Sequence, residues 1–88
     1  MIEGRCRIMN ALGLHARAAA RFVQVANRFR SHIHVTRGTR TVEGKSILGL
    51  LLLAAAKGTD IELVVDGEDE RAAFDALVDL VARGFEEA

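Results

Sequence analysis

Two kinds of hydrophobic pattern, one typical of strands and one typical of helices, follow each other along the sequence. Their order is the feature that most limits the fold of this chain. Apolar and polar residues alternate in short segments, as they do in half-buried strands. Between these segments apolar residues recur at spacings of three and four, as they do in amphipathic helices. The patterns predict strands over residues 5–8, 32–35, 40–42 and 61–65, and helices over residues 16–28, 47–53 and 70–83.

The resulting order, β-α-β-β-α-β-α, limits how the strands pair. The first helix acts as a crossover, so the first two strands run parallel. A turn at Arg37-Gly38-Thr39 makes the third strand antiparallel to the second. Every neighbour is antiparallel if the fourth strand lies between the first and second, which gives the order 1-4-2-3. We therefore predict an α+β fold over residues 1–88, a single domain, with three helices on one face of the sheet. The residues expected on the open, solvated face are Arg5, Arg7, His32, His34, Glu62 and Val64.

Composition narrows the classes of protein that fit. The chain has 88 residues, half of them hydrophobic, which suits one small globular domain. The longest apolar run is interrupted at Gly49 and ends at Lys57, so no membrane span is expected. No signal peptide is evident at the N-terminus, and Cys6 is the only cysteine. These features predict a cytoplasmic protein without an internal disulfide, in which Cys6 is a small buried apolar residue.

Charge is unevenly distributed although the formal net charge is zero. Residues 1–44 carry eight arginines against Glu3 and Glu43, a net charge of +6, and residues 45–88 carry ten acidic against four basic residues, a net charge of −6. Two interpretations remain open at this point. The basic residues share a face that attracts an acidic partner protein, or the two halves neutralise each other across the fold.

The most informative segment is Gly13-Leu14-His15-Ala16-Arg17, where His15 directly precedes the first predicted helix. A helix N-terminus presents unpaired N–H groups and about half a positive charge. It therefore favours an anion such as phosphate and disfavours protonation of a nearby imidazole. Arg17 lies close enough to make charge-assisted bonds to phosphate. The pattern indicates a nucleophilic histidine that accepts a phosphoryl group; the alternative is that His15 only caps the helix.

This segment resembles the active-site motif G-[IL]-H-A-R-P-A of the HPr family, the histidine-containing phosphocarriers of the bacterial phosphotransferase system. Residues 44–50, Gly-Lys-Ser-Ile-Leu-Gly-Leu, resemble the second motif of the family, and Ala56-Lys57-Gly58 is also typical of it. The resemblance implies an open-faced β-sandwich. It also implies that Enzyme I phosphorylates Nδ1 of His15 at the expense of phosphoenolpyruvate, and that a IIA-type protein receives the group. Such a chain is a carrier and not an enzyme, and it uses no cofactor.

The same resemblance assigns roles to single residues. Arg17 would bind the phosphate, and the backbone N–H groups of Ala16 and Arg17 would cradle it. Ser46 corresponds to the regulatory serine that HPr kinase/phosphorylase modifies, although by position it is also a good helix N-cap. The partner surface around His15 would include Ala20, Arg21, Gln24, Ile47, Leu48 and Leu51, whereas Leu50 and Leu53 are expected in the core.

One residue departs from the family motif, since Ala18 stands where proline is usual. Alanine is an excellent helix former, so the helix and the anion site are expected to persist. The departure is compatible with a specialised or regulatory relative, such as the nitrogen-related branch.

Other functions are less well supported. The main alternative is a regulatory binding module whose phosphorylation state controls a partner protein without sugar transport. RNA binding is disfavoured because the chain has no Trp or Tyr for base stacking. His32 and His34 form a His-x-His pair, but no third ligand is evident, so no metal site is predicted. We expect a monomer that binds neither nucleic acid nor membrane.

Overall fold

The computed structural model describes residues 1–86, which form a four-stranded antiparallel sheet in the order β1-β4-β2-β3. The predicted element order and strand order are confirmed. The elements are β1 (Ile2–Arg7), α1 (Ala16–Ala26), β2 (His32–Arg37), β3 (Arg40–Glu43), α2 (Ile47–Leu52), β4 (Asp60–Asp66) and α3 (Glu70–Ala82), followed by a single 3-10 turn (Gly84–Glu86). No helix within these residues is long and apolar enough to cross a membrane.

The two faces of the sheet differ as the alternation predicts. In the central strands β2 and β4, the odd-numbered apolar residues face the helices. All five are buried: Ile33, Val35, Ile61, Leu63 and Val65. The open face carries the even-numbered residues of β2 and β4 together with Arg5 and Arg7 of β1. Arg5, Arg7, His32 and Glu62 are exposed there, and His34 and Val64 are half-buried. One face of the sheet therefore packs on the helices while the other meets solvent.

The helices fill the space above the sheet. The inward stripe of α1 comprises Ala18, Ala19, Phe22, Val23 and Ala26, and that of α3 comprises Ala73, Leu77, Leu80 and Val81. Leu50 and Leu53 are fully buried as predicted, and Cys6 is a buried free thiol. Burial raises the pKa of this thiol, because the apolar surroundings disfavour the thiolate.

Several element boundaries differ from prediction. β1 begins at Ile2 rather than at residue 5, because pairing with β4 continues until Ile2 lies opposite Val65. Gly4 obscures the strand pattern; it lacks a side chain where the ring of Phe74 packs. α1 ends at Ala26 rather than at residue 28, and the chain then makes one tighter turn that still brings Phe29 against the core.

The turn after α3 is absent from the sequence prediction. Phe85 is completely buried although its φ of +58° places it in the left-handed region. Arg21 of α1 holds this turn, because its Nη1 donates to the carbonyl oxygen of Phe85 at 3.0 Å. The C-terminal turn is thereby tied to the helix that begins beside His15.

The two halves of the chain neutralise each other on the sheet, whereas attraction of an acidic partner remains a prediction. On the sheet, Arg7 pairs with Asp60 at 3.0 Å and Arg5 lies 3.6 Å from Glu62, so the two halves of the chain neutralise each other there. The side chains of Arg17, in α1, and Arg28, just after it, make no ion pair with any residue between 1 and 86. Part of the positive charge that is not neutralised within residues 1–86 therefore lies on α1 and directly after it.

Asp69 joins the start of α3 to the segment before β2. Its carboxylate accepts the backbone N–H groups of Arg30 and Ser31 at 2.9 and 3.0 Å, and the Ser31 hydroxyl at 2.6 Å. These hydrogen bonds, that of the Ser31 side chain foremost, lower the pKa of Asp69 below its usual value.

This arrangement predicts an acid-sensitive fold. A carboxyl whose pKa is lowered on folding stabilises the protein above its unfolded pKa, and this stabilisation is lost as the pH falls below about 4. We expect Asp69→Asn to lower stability at pH 7 and to flatten the decline of stability between about pH 5 and 3. Denaturant titrations across this range measure the effect, with Asp75→Asn on the outer side of α3 as control. An unchanged pH profile in Asp69→Asn would contradict the prediction.

Candidate functional site

His15 is the N-cap of α1, and its ring forms part of the cap. Its backbone is extended (φ −84°, ψ −179°), and its Nδ1 accepts the backbone N–H of Arg17 at 3.3 Å. Its carbonyl oxygen accepts the N–H of Ala19 at 2.8 Å, which closes the first turn. Because Nδ1 acts as an acceptor, the neutral ring carries its proton on Nε2. The lone pair of Nδ1 therefore points toward the positive end of the helix.

The loop before His15 is a tight turn supported by a second loop. The N–H of Gly13 donates to the Asn10 carbonyl at 3.1 Å, and the Asn10 side-chain amide donates to the Gly13 carbonyl at 2.7 Å. The N–H of Leu14 donates to the Ala55 carbonyl at 2.8 Å. Gly13 has φ +68°, and a β-carbon there would lie 2.5 Å from the Ala55 oxygen. His15 is consequently held by a close fit between two loops.

The surroundings of His15 favour a bound anion. The first turn of α1 contains no acidic residue, so no carboxylate of that turn competes for its N–H groups. The guanidinium of Arg17 is exposed and makes no hydrogen bond or ion pair with the described residues. The side chain of Ala18 is fully buried against the core, so the departure from the family motif lies beneath the site and not on its surface.

Ser46 occupies the equivalent position on α2. Its Oγ accepts the N–H of Gly49 at 3.0 Å, so Ser46 is the N-cap of this helix. The neighbouring Lys45 is held by a 2.7 Å hydrogen bond from its Nζ to the Phe29 carbonyl. The hydroxyl is half-buried, and phosphorylation of Ser46 remains a prediction.

The α2 residues of the predicted partner surface differ in exposure. Ile47 and Leu48 are exposed, Leu48 to 69%. Leu51, however, is half-buried and packs against the core, because it lies beside the inward-facing Leu50. Leu52 is the residue that sequence reasoning missed, with 54% of its surface exposed. The spacing of four residues between Leu48 and Leu52 places both on the same face of the helix, and this spacing could have predicted the exposure of Leu52.

The predicted surface on α1 is also more varied than the sequence suggested. Gln24 is exposed, whereas Ala20 and Arg21 are half-buried. The Arg21 side chain donates hydrogen bonds to the carbonyls of Phe85 and Glu86. The Arg17 side chain, in contrast, makes no hydrogen bond within residues 1–86. α1 packs against α2, so the exposed residues of both helices belong to one side of the molecule.

Comparison with known proteins agrees with this fold and site. The family described as "PTS HPr component phosphorylation site" matches residues 2–83. The phosphocarrier protein HPr of Neisseria meningitidis is 53% identical over 81 residues, which are 92% of this chain and 91% of that protein. A crystal structure of HPr from Thermoanaerobacter tengcongensis is 43% identical, covers 100% of this chain and 99% of its own, and superposes with a TM-score of 0.95. A crystal structure of an HPr dimer from the same organism is 44% identical, covers 99% of this chain and 100% of its own, and has a TM-score of 0.79.

The fold and the site define a phosphoryl carrier, a protein that is itself phosphorylated and does not turn over a small molecule. The chain belongs to the HPr family of the phosphotransferase system. Its function is that of a cytoplasmic phosphocarrier between Enzyme I and IIA-type proteins, the partners that this family implies.

Proposed function

We propose that His15 is the residue that carries the phosphoryl group, and that Nδ1 is its attachment atom. The observation that supports this most directly is the hydrogen bond from the Arg17 N–H to Nδ1. It keeps the proton on Nε2 and leaves a lone pair on Nδ1, which is what a nucleophilic imidazole requires. The same hydrogen bond would be present if His15 only capped the helix. Capping, however, does not require the exposed guanidinium of Arg17 nearby, whereas phosphate binding does.

The transfer itself can be written with the atoms of this site. The lone pair of Nδ1 forms a bond to phosphorus of phosphorylated Enzyme I, and the bond between phosphorus and Enzyme I breaks with its electrons returning to Enzyme I. Nδ1 then has no lone pair left for the Arg17 N–H. We infer that this N–H, together with that of Ala16, turns to the new phosphoryl oxygens at the helix N-terminus. The donor that caps the helix before transfer thus binds the product after it.

We infer that the protein works as a monomer, because partner proteins must reach His15 at the N-terminus of α1 to exchange the phosphoryl group. The dimer of the T. tengcongensis relative is the alternative. Sedimentation equilibrium distinguishes them: a mass near 9.6 kDa supports the monomer, and twice that mass supports the dimer.

Incubation with phosphoenolpyruvate and Enzyme I tests the proposed function directly. We expect one phosphate per chain by intact mass, labile in acid and stable in base, as a phosphohistidine is. The reaction without Enzyme I is the control. An acid-stable phosphate, or none, would contradict the assignment.

The first mutational prediction concerns Arg17. Arg17→Ala removes a charge-assisted contact to phosphate but no side-chain hydrogen bond or ion pair among the described residues. We expect kcat/KM for phosphorylation by Enzyme I to fall by about 10- to 100-fold, equivalent to about 1.5–3 kcal/mol. The melting temperature should hardly change. Rates equal to those of the parent would show that the backbone N–H groups suffice.

Ser46 supports a second proposal, that phosphorylation there by HPr kinase/phosphorylase regulates the carrier. A phosphate at this position places negative charge beside an apolar surface that must meet acidic partners. We expect Ser46→Asp to slow transfer from Enzyme I at low salt, with the deficit shrinking as salt is added.

The matched control is Ser46→Ala, which loses the hydrogen bond to Gly49 without adding charge. It should destabilise the domain by about 1 kcal/mol yet transfer normally. If both variants transfer equally well at low salt, Ser46 is only a cap.

A further inference from the structure

Asn10 is a buried polar residue five positions before His15. Only 8% of its surface is exposed, and within residues 1–86 Ser31 is the one other buried polar residue. Burying an amide costs free energy unless it is hydrogen-bonded. The Asn10 Nδ2 donates to the Gly13 carbonyl at 2.7 Å, and the Asn10 carbonyl accepts the N–H of Gly13 at 3.1 Å. Asn10 therefore closes the turn before His15 with both its side chain and its backbone.

The carbonyl of Gly13 connects Asn10 to His15. It accepts the Asn10 amide and also the N–H of His15 at 2.9 Å, which occupies both of its lone pairs. The peptide unit to which this carbonyl belongs is held at its other end too, because the N–H of Leu14 donates to the Ala55 carbonyl at 2.8 Å. Since a peptide unit is planar, fixing its C=O and its N–H fixes its orientation. The backbone that enters His15 is oriented in this way.

Asn10 is itself held in place by elements on two sides. Two residues earlier, the fully buried Ile8 donates its N–H to the Thr59 carbonyl at 2.9 Å and accepts the N–H of Gly58 at 2.7 Å. The C-terminal turn lies against Asn10, since a β-carbon added at Gly84 would be 3.5 Å from the Asn10 Cβ. The Asn10 amide is thus a fixed donor, and a fixed donor can hold another group in place.

We propose that Asn10 is a positioning residue for phosphoryl transfer, whose side-chain amide fixes the Gly13 carbonyl and thereby keeps Nδ1 of His15 aligned with the phosphorus that it attacks. This inference rests on the proposed function of His15 and adds a residue that acts through the backbone. Small displacements at a transfer site have large effects on rate. The effect of losing the amide is therefore expected in the transfer step and not in partner affinity.

The test is single-turnover transfer from phosphorylated Enzyme I, which gives a maximal rate and a half-saturating concentration separately. In Asn10→Ala, which removes the amide, we expect the maximal rate to fall by about tenfold, with the half-saturating concentration within about twofold of the parent. Asn10→Asp keeps the size of the side chain, but a carboxylate cannot donate, so this variant should be at least as slow. Asn27→Ala makes the same change as Asn10→Ala at the exposed C-cap of α1 and should match the parent.

Hydrogen exchange distinguishes positioning from a general loss of stability. Measured by NMR at a temperature where each variant is folded, the His15 N–H should exchange about tenfold faster in Asn10→Ala relative to the N–H of Leu50. The Leu50 N–H is a suitable reference because it donates to the Ser46 carbonyl in another helix, at 3.0 Å. Ile61→Val, a variant in the core, should lower the melting temperature but keep the maximal rate of the parent.

Each other outcome has a definite meaning. A parent-like maximal rate in Asn10→Ala would overturn the proposal, and so would a change confined to the half-saturating concentration. An equal loss of rate in Ile61→Val would also overturn it, because the loss would then follow stability. If Asn10→Ala does not fold, Asn10→Asp decides the same question. If the parent itself accepts no acid-labile phosphate, the proposed function of His15 fails instead.

Discussion

Replacing His15 with alanine is expected to abolish phosphoryl acceptance from Enzyme I while leaving the domain folded. The variant loses the ring nitrogen that faces the N-terminus of α1. Arg17 is protonated at neutral pH and has no free lone pair, and an unactivated serine hydroxyl such as that of Ser46 is a weak nucleophile. The ring is half-buried at the surface and is not part of the hydrophobic core. Removing the ring also leaves the Arg17 N–H without its Nδ1 acceptor, which lowers the free energy of unfolding by about 0.5–1.5 kcal/mol.

The measurement is intact mass after incubation with phosphoenolpyruvate and Enzyme I, with circular dichroism as the check on folding. His32→Ala is the matched control, because His32 is an exposed imidazole on the open face of the sheet. This control should accept one phosphate as the parent does. Acid-labile phosphate on His15→Ala would assign the carrier role to another histidine and remove the basis of the proposed function.

The strand order was predictable because it depends on connectivity and alternation. One crossover helix, one tight turn at Gly38 and three alternating strands leave 1-4-2-3 as the arrangement with all neighbours antiparallel. His15 and Ser46 were placed correctly as helix caps for a similar reason, since capping depends on residues adjacent in sequence. The sequence was sufficient to predict these features because the residues that determine them are close together in the chain.

The errors concern contacts between residues far apart in sequence. Arg21 was predicted on the partner surface, but it is half-buried and donates to the carbonyls of Phe85 and Glu86, 64 and 65 positions away. The start of β1 was missed because it depends on pairing with Val65 and on space left for Phe74. Leu51 was predicted on the partner surface but is half-buried, and the exposed Leu52 was not named, because six residues of helix, nearly all apolar, do not reveal which side faces the core.

Gly13 is the position where the close fit between the two loops can be tested. Its φ of +68° requires the left-handed region, which costs alanine about 1 kcal/mol. A β-carbon would also lie 2.5 Å from the Ala55 oxygen and 2.9 Å from the Ala56 Cα, and both neighbours are backbone atoms that cannot rotate away. We therefore expect Gly13→Ala to lower the free energy of unfolding by about 2–4 kcal/mol in total.

Gly38 provides the matched control. It has nearly the same φ, +61°, but an added β-carbon would have nothing within 4 Å. Gly38→Ala should consequently cost only the backbone penalty of about 1 kcal/mol and should transfer phosphate normally. The difference between the two variants in urea denaturation isolates the contact between the loops from the strain of the backbone.

The same pair of variants also links the loops to function. Because the Gly13 carbonyl accepts the N–H of His15, pushing the loops apart displaces the ring that receives the phosphoryl group. At a temperature where both variants are folded, Gly13→Ala should be phosphorylated more slowly than Gly38→Ala by at least about tenfold, since small displacements at a transfer site have large effects on rate. Equal stability and equal rates in the two variants would show that the second loop does not hold His15 in place, and that the N-cap alone positions the ring.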